Sequence, residues 1–226
     1  MTKSEMKALK SPLNFDITIK ICGMKDPHNI AAIAALDPDY LGFIFYEKSP
    51  RYFDGTIPKI SSTIKKVGVF VDATIENIIN KFQLHDLQAV QLHGNESANF
   101  IRKLRNSLGN AIEIIKVFSV GSDFDFQSVE DYEQTCDFFL FDTKGKSPGG
   151  NGEKFDWNIL NNYKSSKPFF LSGGIGIHDL KEIGYLLEKN LPLYGIDLNS
   201  KLEIVPGLKD VAVAKEIIEY SRNYRK

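Results

Sequence analysis

Only two cysteines, Cys22 and Cys136, occur in 226 residues, with four histidines and one tryptophan. Two thiols make no disulfide framework, and no Cys/His cluster has zinc spacing, which excludes a stapled secreted scaffold and a structural zinc domain. A reducing cytoplasm is the expected compartment. Excess charge is missing too: 28 Lys+Arg against 29 Asp+Glu leave a formal charge of −1. A general nucleic-acid binder is expected to be basic, so no nucleic-acid partner is expected. A small anion remains a suitable ligand, because a local site can be positive on a neutral protein. Long apolar runs are lacking. Stretches such as Ile30–Leu36 fall far short of the ~18 residues that a membrane span needs, so no membrane partner is expected. The opening MTKSEMKALKSPLNFD carries no signal-peptide core. Residues 1–15 read as a short flexible tail and 16–226 as one folded domain.

What the chain does have is rhythm. Eight short β-branched or aromatic runs recur: Ile17–Ile21, Tyr40–Phe45, Val67–Val71, Leu87–Leu92, Ile112–Phe118, Cys136–Phe141, Pro168–Leu171 and Tyr194–Leu198. Their starts lie about 20–30 residues apart, near the length of one strand-plus-helix unit. Between most of them, apolar residues recur at helical spacing: Asn29–Leu36, Thr74–Phe82, Ser97–Leu104, His178–Glu188 and Val211–Tyr220. Thr74 and Asp210 read as helix starts. Asp54–Ser62, with Gly55 and Pro58, is a poor helix. Eight alternating units without a composition break predict an α/β fold, a single (β/α)₈ TIM barrel with short loops, rather than an open sheet.

A barrel carries its site at the C-terminal ends of its strands. The residues just after the apolar runs are polar and reactive: Cys22, Arg51, Asp72, His93, Ser119, Asp142, Ser172 and Asn199. Seven of the 17 glycines lie in two loops, Gly145–Gly152 and Gly173–Gly176. Glycine lets backbone N–H groups approach an anion, and barrels often seat phosphate after strands seven and eight. A tight turn explains the same glycines. Lys20 and Cys22 point the same way along a strand, either both inward or both toward the helices. The inward choice sets a cation below a thiol and favours thiolate; a buried inert cysteine is the alternative. Asp142 closes the run FFLF, a desolvated place that suits a proton donor, or it caps a turn. His93 ends the fourth run and is a ligand-facing or a structural histidine. His28, His85 and His178 read as surface residues. Arg51 offers a planar fork to a carboxylate, or a surface ion pair. Asp197 shares a face with Gly195 and is placed to line the mouth. Cys136 begins its strand and is structural.

The segments IKICGMKDPHN, LGFIFYEKSPRYF, VGVFV, VQLHGNES, FDTKGKSPGGNGEKFDW, SGGI and DLNSKLEIVPGLKD occur in the order found in phosphoribosylanthranilate isomerases of tryptophan biosynthesis. The chain resembles that family from about Ile19 to Asp210. The resemblance implies a cofactor-free barrel with no metal, and an Amadori rearrangement of a small phosphosugar, as a monomer or homodimer. It implies Cys22 as general base, Asp142 as general acid and Arg51 as the partner of the substrate's carboxylate. Gly173, Gly174, Asn199 and Ser200 would hold the phosphate. Lys201 stands where many members have glycine. Among other phosphate-binding barrels, a sugar-phosphate epimerase would need metal-type His and Asp at several strand ends, where only His93 is present. Indole-glycerol-phosphate synthase is expected to use Lys and Glu in place of Cys and Asp. A non-catalytic phosphosugar-binding barrel would have lost the acid or the base.

Overall fold

The computed structural model describes residues 17–144 and 155–222. The expected tail, residues 1–15, and the glycine loop Gly145–Gly152 lie outside the described residues. Strands β1 (Thr18–Cys22), β2 (Tyr40–Ile44), β3 (Lys65–Phe70), β4 (Ala89–Leu92), β5 (Glu113–Val120), β6 (Phe138–Thr143), β7 (Phe169–Leu171) and β8 (Leu193–Leu198) form a closed parallel barrel. β8 returns to pair with β1, with Lys20 opposite Asp197.

The apolar runs are continuous because both strand faces are buried. Side chains alternate between two cores. Tyr40, Val67, Ala89, Ile115, Val117, Leu140 and Phe170 fill the barrel interior. Their neighbours in sequence, among them Leu41, Ile114, Phe139, Phe141 and Phe169, pack outward under the helical layer. At the N-terminal end a polar plug closes the interior. Glu113 accepts from Tyr40 Oη at 3.0 Å and pairs with Lys65 at 2.5 Å. The opposite end is left for a cavity.

Helices α1 (Pro27–Ala34), α2 (Ile75–His85), α3 (Ala98–Leu108), α4 (Leu180–Leu187) and α5 (Val211–Arg222) cover the barrel. Their starts follow the sequence. Thr74 Oγ1 accepts from Asn77 N–H, Ser97 Oγ from Phe100 N–H, and Asp210 Oδ1 from Ala212 N–H. Each such cap satisfies a backbone donor that the helix cannot. Asp54–Ser62 forms no helix. In its place Phe53 packs edge-on against Phe43 and Phe45. His85, expected at the surface, is half-buried and stacks on Phe45 at 5.0 Å, because this gap in the helical layer needs a ring to cover it. After β5 and β6 the described residues form 3₁₀ turns, Phe126–Tyr132 and Trp157–Asn162, and no α-helix. There Phe126 and Tyr163 lie against Phe141, doing the covering that a helix does elsewhere. Among the described residues no helix is long and apolar enough to cross a membrane.

Candidate active site

The C-terminal rim forms a cavity that is partly open to solvent. Cys22 from the end of β1 and Asp142 from β6 both line it, with Arg51, His93, Asp197, Gly173, Gly174, Asn199 and Ser200. These residues, expected from the sequence, are brought to one mouth, while Asp72 and Ser119, also at strand ends, do not line it. Cys136 lies just before β6, at the other end of that strand, and its thiol donates to Tyr132 O. Among the described residues no group of three His, Cys, Asp or Glu side chains is placed to hold a metal.

Lys20 and Cys22 take the inward choice. Lys20 is fully buried, and its ammonium meets Asp197 Oδ1 at 2.7 Å. The Lys20 charge favours the Cys22 thiolate, as the spacing predicts. Burial pushes the Cys22 thiol up, against the pull of the Lys20 charge, and the Asp197 carboxylate reinforces burial. The cation that was to activate the thiol is already neutralised by a carboxylate one strand away.

Gly42 of β2 is the register partner of Cys22. A Cβ at Gly42 would stand 2.7 Å from Cys22 Sγ and 3.2 Å from its Cα. Only glycine leaves room for the thiol in that position. Gly42→Ala is expected to displace Sγ and lower kcat by about 10²-fold, the usual effect of misplacing a reacting group by an ångström. Overpacking should also cost ~1–3 kcal/mol of stability. Steady-state kinetics and thermal melts check both; an unchanged kcat would show that the position of the thiol is not critical.

Asp142 is held by its neighbours. Its Oδ1 accepts from Thr143 N–H at 2.9 Å, and its Oδ2 faces His93 Nε2 at 3.4 Å. Gln91, buried on the same face of β4, contacts His93 Nδ1 at 3.3 Å through its amide nitrogen. If that amide donates, Nδ1 is an acceptor and the His93 proton sits on Nε2, toward Asp142. Gln91 Oε1 has no hydrogen-bond partner among the described residues. The loop after His93 is braced from below. Glu96 accepts from Asp72 N–H and Gly94 N–H and pairs with buried Lys116 at 3.0 Å. Sequence reading missed Gln91, although a Gln inside the run AVQL, two residues before His93, was a visible signal.

Arg51 is 8% exposed and its guanidinium is already engaged. Nε and Nη2 donate to Glu203, at 2.8 Å to Oε1 and 2.6 Å to Oε2. This uses the side edge of the fork. The end edge, Nη1 with the second Nη2 hydrogen, is not used by that pairing and suits a bidentate carboxylate. Burial alone would raise the Glu203 carboxyl, but Arg51 and Lys209 hold it at about 2.

After β7, Gly173 has φ +97° and Gly174 φ +67°, both in the left-handed region. A Cβ at Gly173 would collide with Thr143 Oγ1, so the turn needs glycine on two counts. Asn199 faces the same corner, with Oδ1 accepting from Lys209 Nζ at 2.7 Å. Lys201, the departure from the family pattern, is exposed and does not have positive φ. It is not among the lining residues, so its side chain leaves the corner open.

A family model described as N-(5'phosphoribosyl)anthranilate (PRA) isomerase matches residues 19–220. The N-(5'-phosphoribosyl)anthranilate isomerase of Parabacteroides distasonis is 42% identical over 207 residues, covering 89% of this chain and 91% of that protein. A solved phosphoribosyl anthranilate isomerase in complex with reduced 1-(o-carboxyphenylamino)-1-deoxyribulose 5-phosphate superposes with a TM-score of 0.74 at 26% identity, over 92% of this chain and 99% of that one. Monomers made from the dimeric Thermotoga maritima enzyme give 0.73 at 26%, with the same coverage. The matched stretch runs from the strand of Cys22 through that of Asp142 to the hairpin of Glu203 and Lys209, and the chain belongs to the N-(5'-phosphoribosyl)anthranilate isomerase family.

Proposed function

We infer that the chain converts N-(5-phosphoribosyl)anthranilate to 1-(2-carboxyphenylamino)-1-deoxyribulose 5-phosphate, the Amadori step of tryptophan biosynthesis. The observation that carries this reading is one cavity lined by a thiol, a carboxyl group, an arginine fork and a glycine turn, Cys22, Asp142, Arg51 and Gly173–Gly174. The substrate has two anionic ends and a sugar between them. Arg51 takes the anthranilate carboxylate on its free edge, and Gly173, Gly174, Asn199 and Ser200 take the phosphate. Held at both ends, the sugar lies across the mouth between β1 and β6.

Asp142 donates a proton to the ring oxygen as the C1′–O bond breaks. The lone pair of the aniline nitrogen supplies the electrons, and a protonated Schiff base forms. Its positive charge acidifies the C2′ hydrogen. Cys22, as the minority thiolate, removes that proton, the C–H electrons flow into the Schiff base, and an enolamine results. Tautomerisation to the ketone completes the rearrangement without any net change in oxidation state. Each positioned proton transfer is worth ~10²–10⁴-fold. His93 and Asp197 line the same sugar-facing wall and serve binding. The chain works in the cytoplasm, where the Cys22 thiol stays reduced, as a monomer or homodimer.

Freshly generated phosphoribosylanthranilate is fluorescent, and its consumption tests the activity directly, together with complementation of a strain lacking the isomerase. Arg51→Ala should raise KM about 10–100-fold, the worth of hydrogen bonds to a charged group, with kcat changed far less. A KM equal to the parent's would show that Arg51 does not meet the substrate.

A further inference from the structure

The mechanism leaves unused a motif that the sequence placed in the resemblance, the E…PG.KD stretch from Glu203 to Asp210. In the structure it is a two-stranded hairpin, β9 (Glu203–Val205) and β10 (Leu208–Lys209), set beside the cavity. Glu203 and Lys209 are charged and nearly inaccessible, with side chains 5% and 0% exposed, and meet at 2.9 Å. Burying such a pair is a poor way to gain stability, since desolvation costs roughly what the pairing returns.

The pair's connections suggest what it does. Glu203 fixes the side edge of the Arg51 fork, and its Oε1 also accepts from Gly207 N–H at 2.9 Å. Lys209 Nζ reaches Asn199 twice, at Oδ1 (2.7 Å) and at the backbone oxygen (3.3 Å). Lys209 is itself locked to α1, where Asn29 donates to its carbonyl and accepts from its N–H, both at 2.8 Å. A continuous polar chain thus runs from Asn29 through Lys209 and Glu203 to Arg51, with a branch to Asn199. Two of its three termini, Arg51 and Asn199, are at the places assigned to the substrate's two anions. Glu203 stands between two basic side chains, and burial pulls the Lys209 ammonium down while Glu203 supports it.

We propose that Glu203 and Lys209 are positioning residues that tie the carboxylate-binding Arg51 to the phosphate-side Asn199 and so set the distance at which the two anionic ends of the substrate are held. The proposal rests on the functional reading above. It makes this pair a determinant of specificity for substrates of one anion-to-anion length, without contact to the reacting atoms.

The test compares the parent chain with Glu203→Gln, which keeps the shape and one acceptor, and with Lys209→Met and Lys209→Arg. KM and kcat are measured on generated phosphoribosylanthranilate, with melting temperatures beside them. Glu203→Gln and Lys209→Met are expected to raise KM about 10–100-fold with kcat within a few-fold of the parent. Lys209→Arg, which keeps the charge and the donors, should recover most of the loss. The parent chain should bind 2-(methylamino)benzoate more tightly when inorganic phosphate is present, and both neutralising variants should lose that coupling. If Glu203→Gln does not fold, Lys209→Met and Lys209→Arg carry the comparison. A fall in melting temperature alone, or a loss of kcat at unchanged KM, overturns the proposal. A parent chain without isomerase activity overturns the functional reading instead, so the two failures are distinct.

Discussion

Cys22→Ser is expected to lower kcat by ~10²–10⁴-fold while KM stays close to the parent value. Serine fills nearly the same space beside Gly42, whose missing Cβ leaves room for it. It keeps the cavity wall and removes a group that can ionise near neutral pH. The substrate's two anions are held elsewhere, at Arg51 and the Gly173–Gly174 corner, so binding should survive. The pH dependence adds a second check. Burial raises the Cys22 thiol above its ordinary range despite Lys20, and the active form is the deprotonated one. kcat/KM of the parent should therefore rise with pH through the neutral region, with the midpoint of that rise above the ordinary thiol value of ~8.5. Turnover of the serine variant within tenfold of the parent would remove Cys22 from the role of base.

The barrel was legible because its strands are buried on both faces. A run such as Phe138–Phe141 stays apolar without alternation, and eight short runs recurring at similar spacing admit few architectures. The 3₁₀ turns after β5 and β6 were not legible. Phe124, Phe126 and Tyr163 cover the strands by ring packing, and rings packed that way leave no helical period in the sequence. The strand-end residues of the site were readable for a simple reason: each polar group follows directly on an apolar run. The pairings among them were not. Arg51 and Glu203 stand 152 residues apart, and no local pattern joins them. The balance at Cys22 was left open, because sequence spacing reveals a nearby cation but conceals both the depth of burial and the Asp197 carboxylate that already holds that cation.

Asp142→Asn should be as damaging as the loss of the thiol, ~10²–10⁴-fold in kcat, for a different reason. Asparagine has the same outline. Its Oδ1 can still accept from Thr143 N–H, and its NH2 can donate to His93 Nε2 once the imidazole proton moves to Nδ1 and Gln91 turns its Oε1 to accept it, so the wall of the cavity and the melting temperature should be largely preserved. What it lacks is a proton to give to the ring oxygen as the C1′–O bond breaks. The two variants interrupt successive steps, ring opening and removal of the C2′ proton. Once ring opening limits the reaction, removing the base should add little. The double variant Cys22→Ser/Asp142→Asn is therefore expected to be about as slow as the slower single variant, since losses from groups acting in one reaction sequence do not multiply. Residual activity in all three variants would come from the anion seats, which still orient the sugar. An Asp142→Asn variant turning over near the parent rate would mean that the ring opens without this carboxyl group, and the acid would have to be sought elsewhere on the rim, with His93 the first residue to replace.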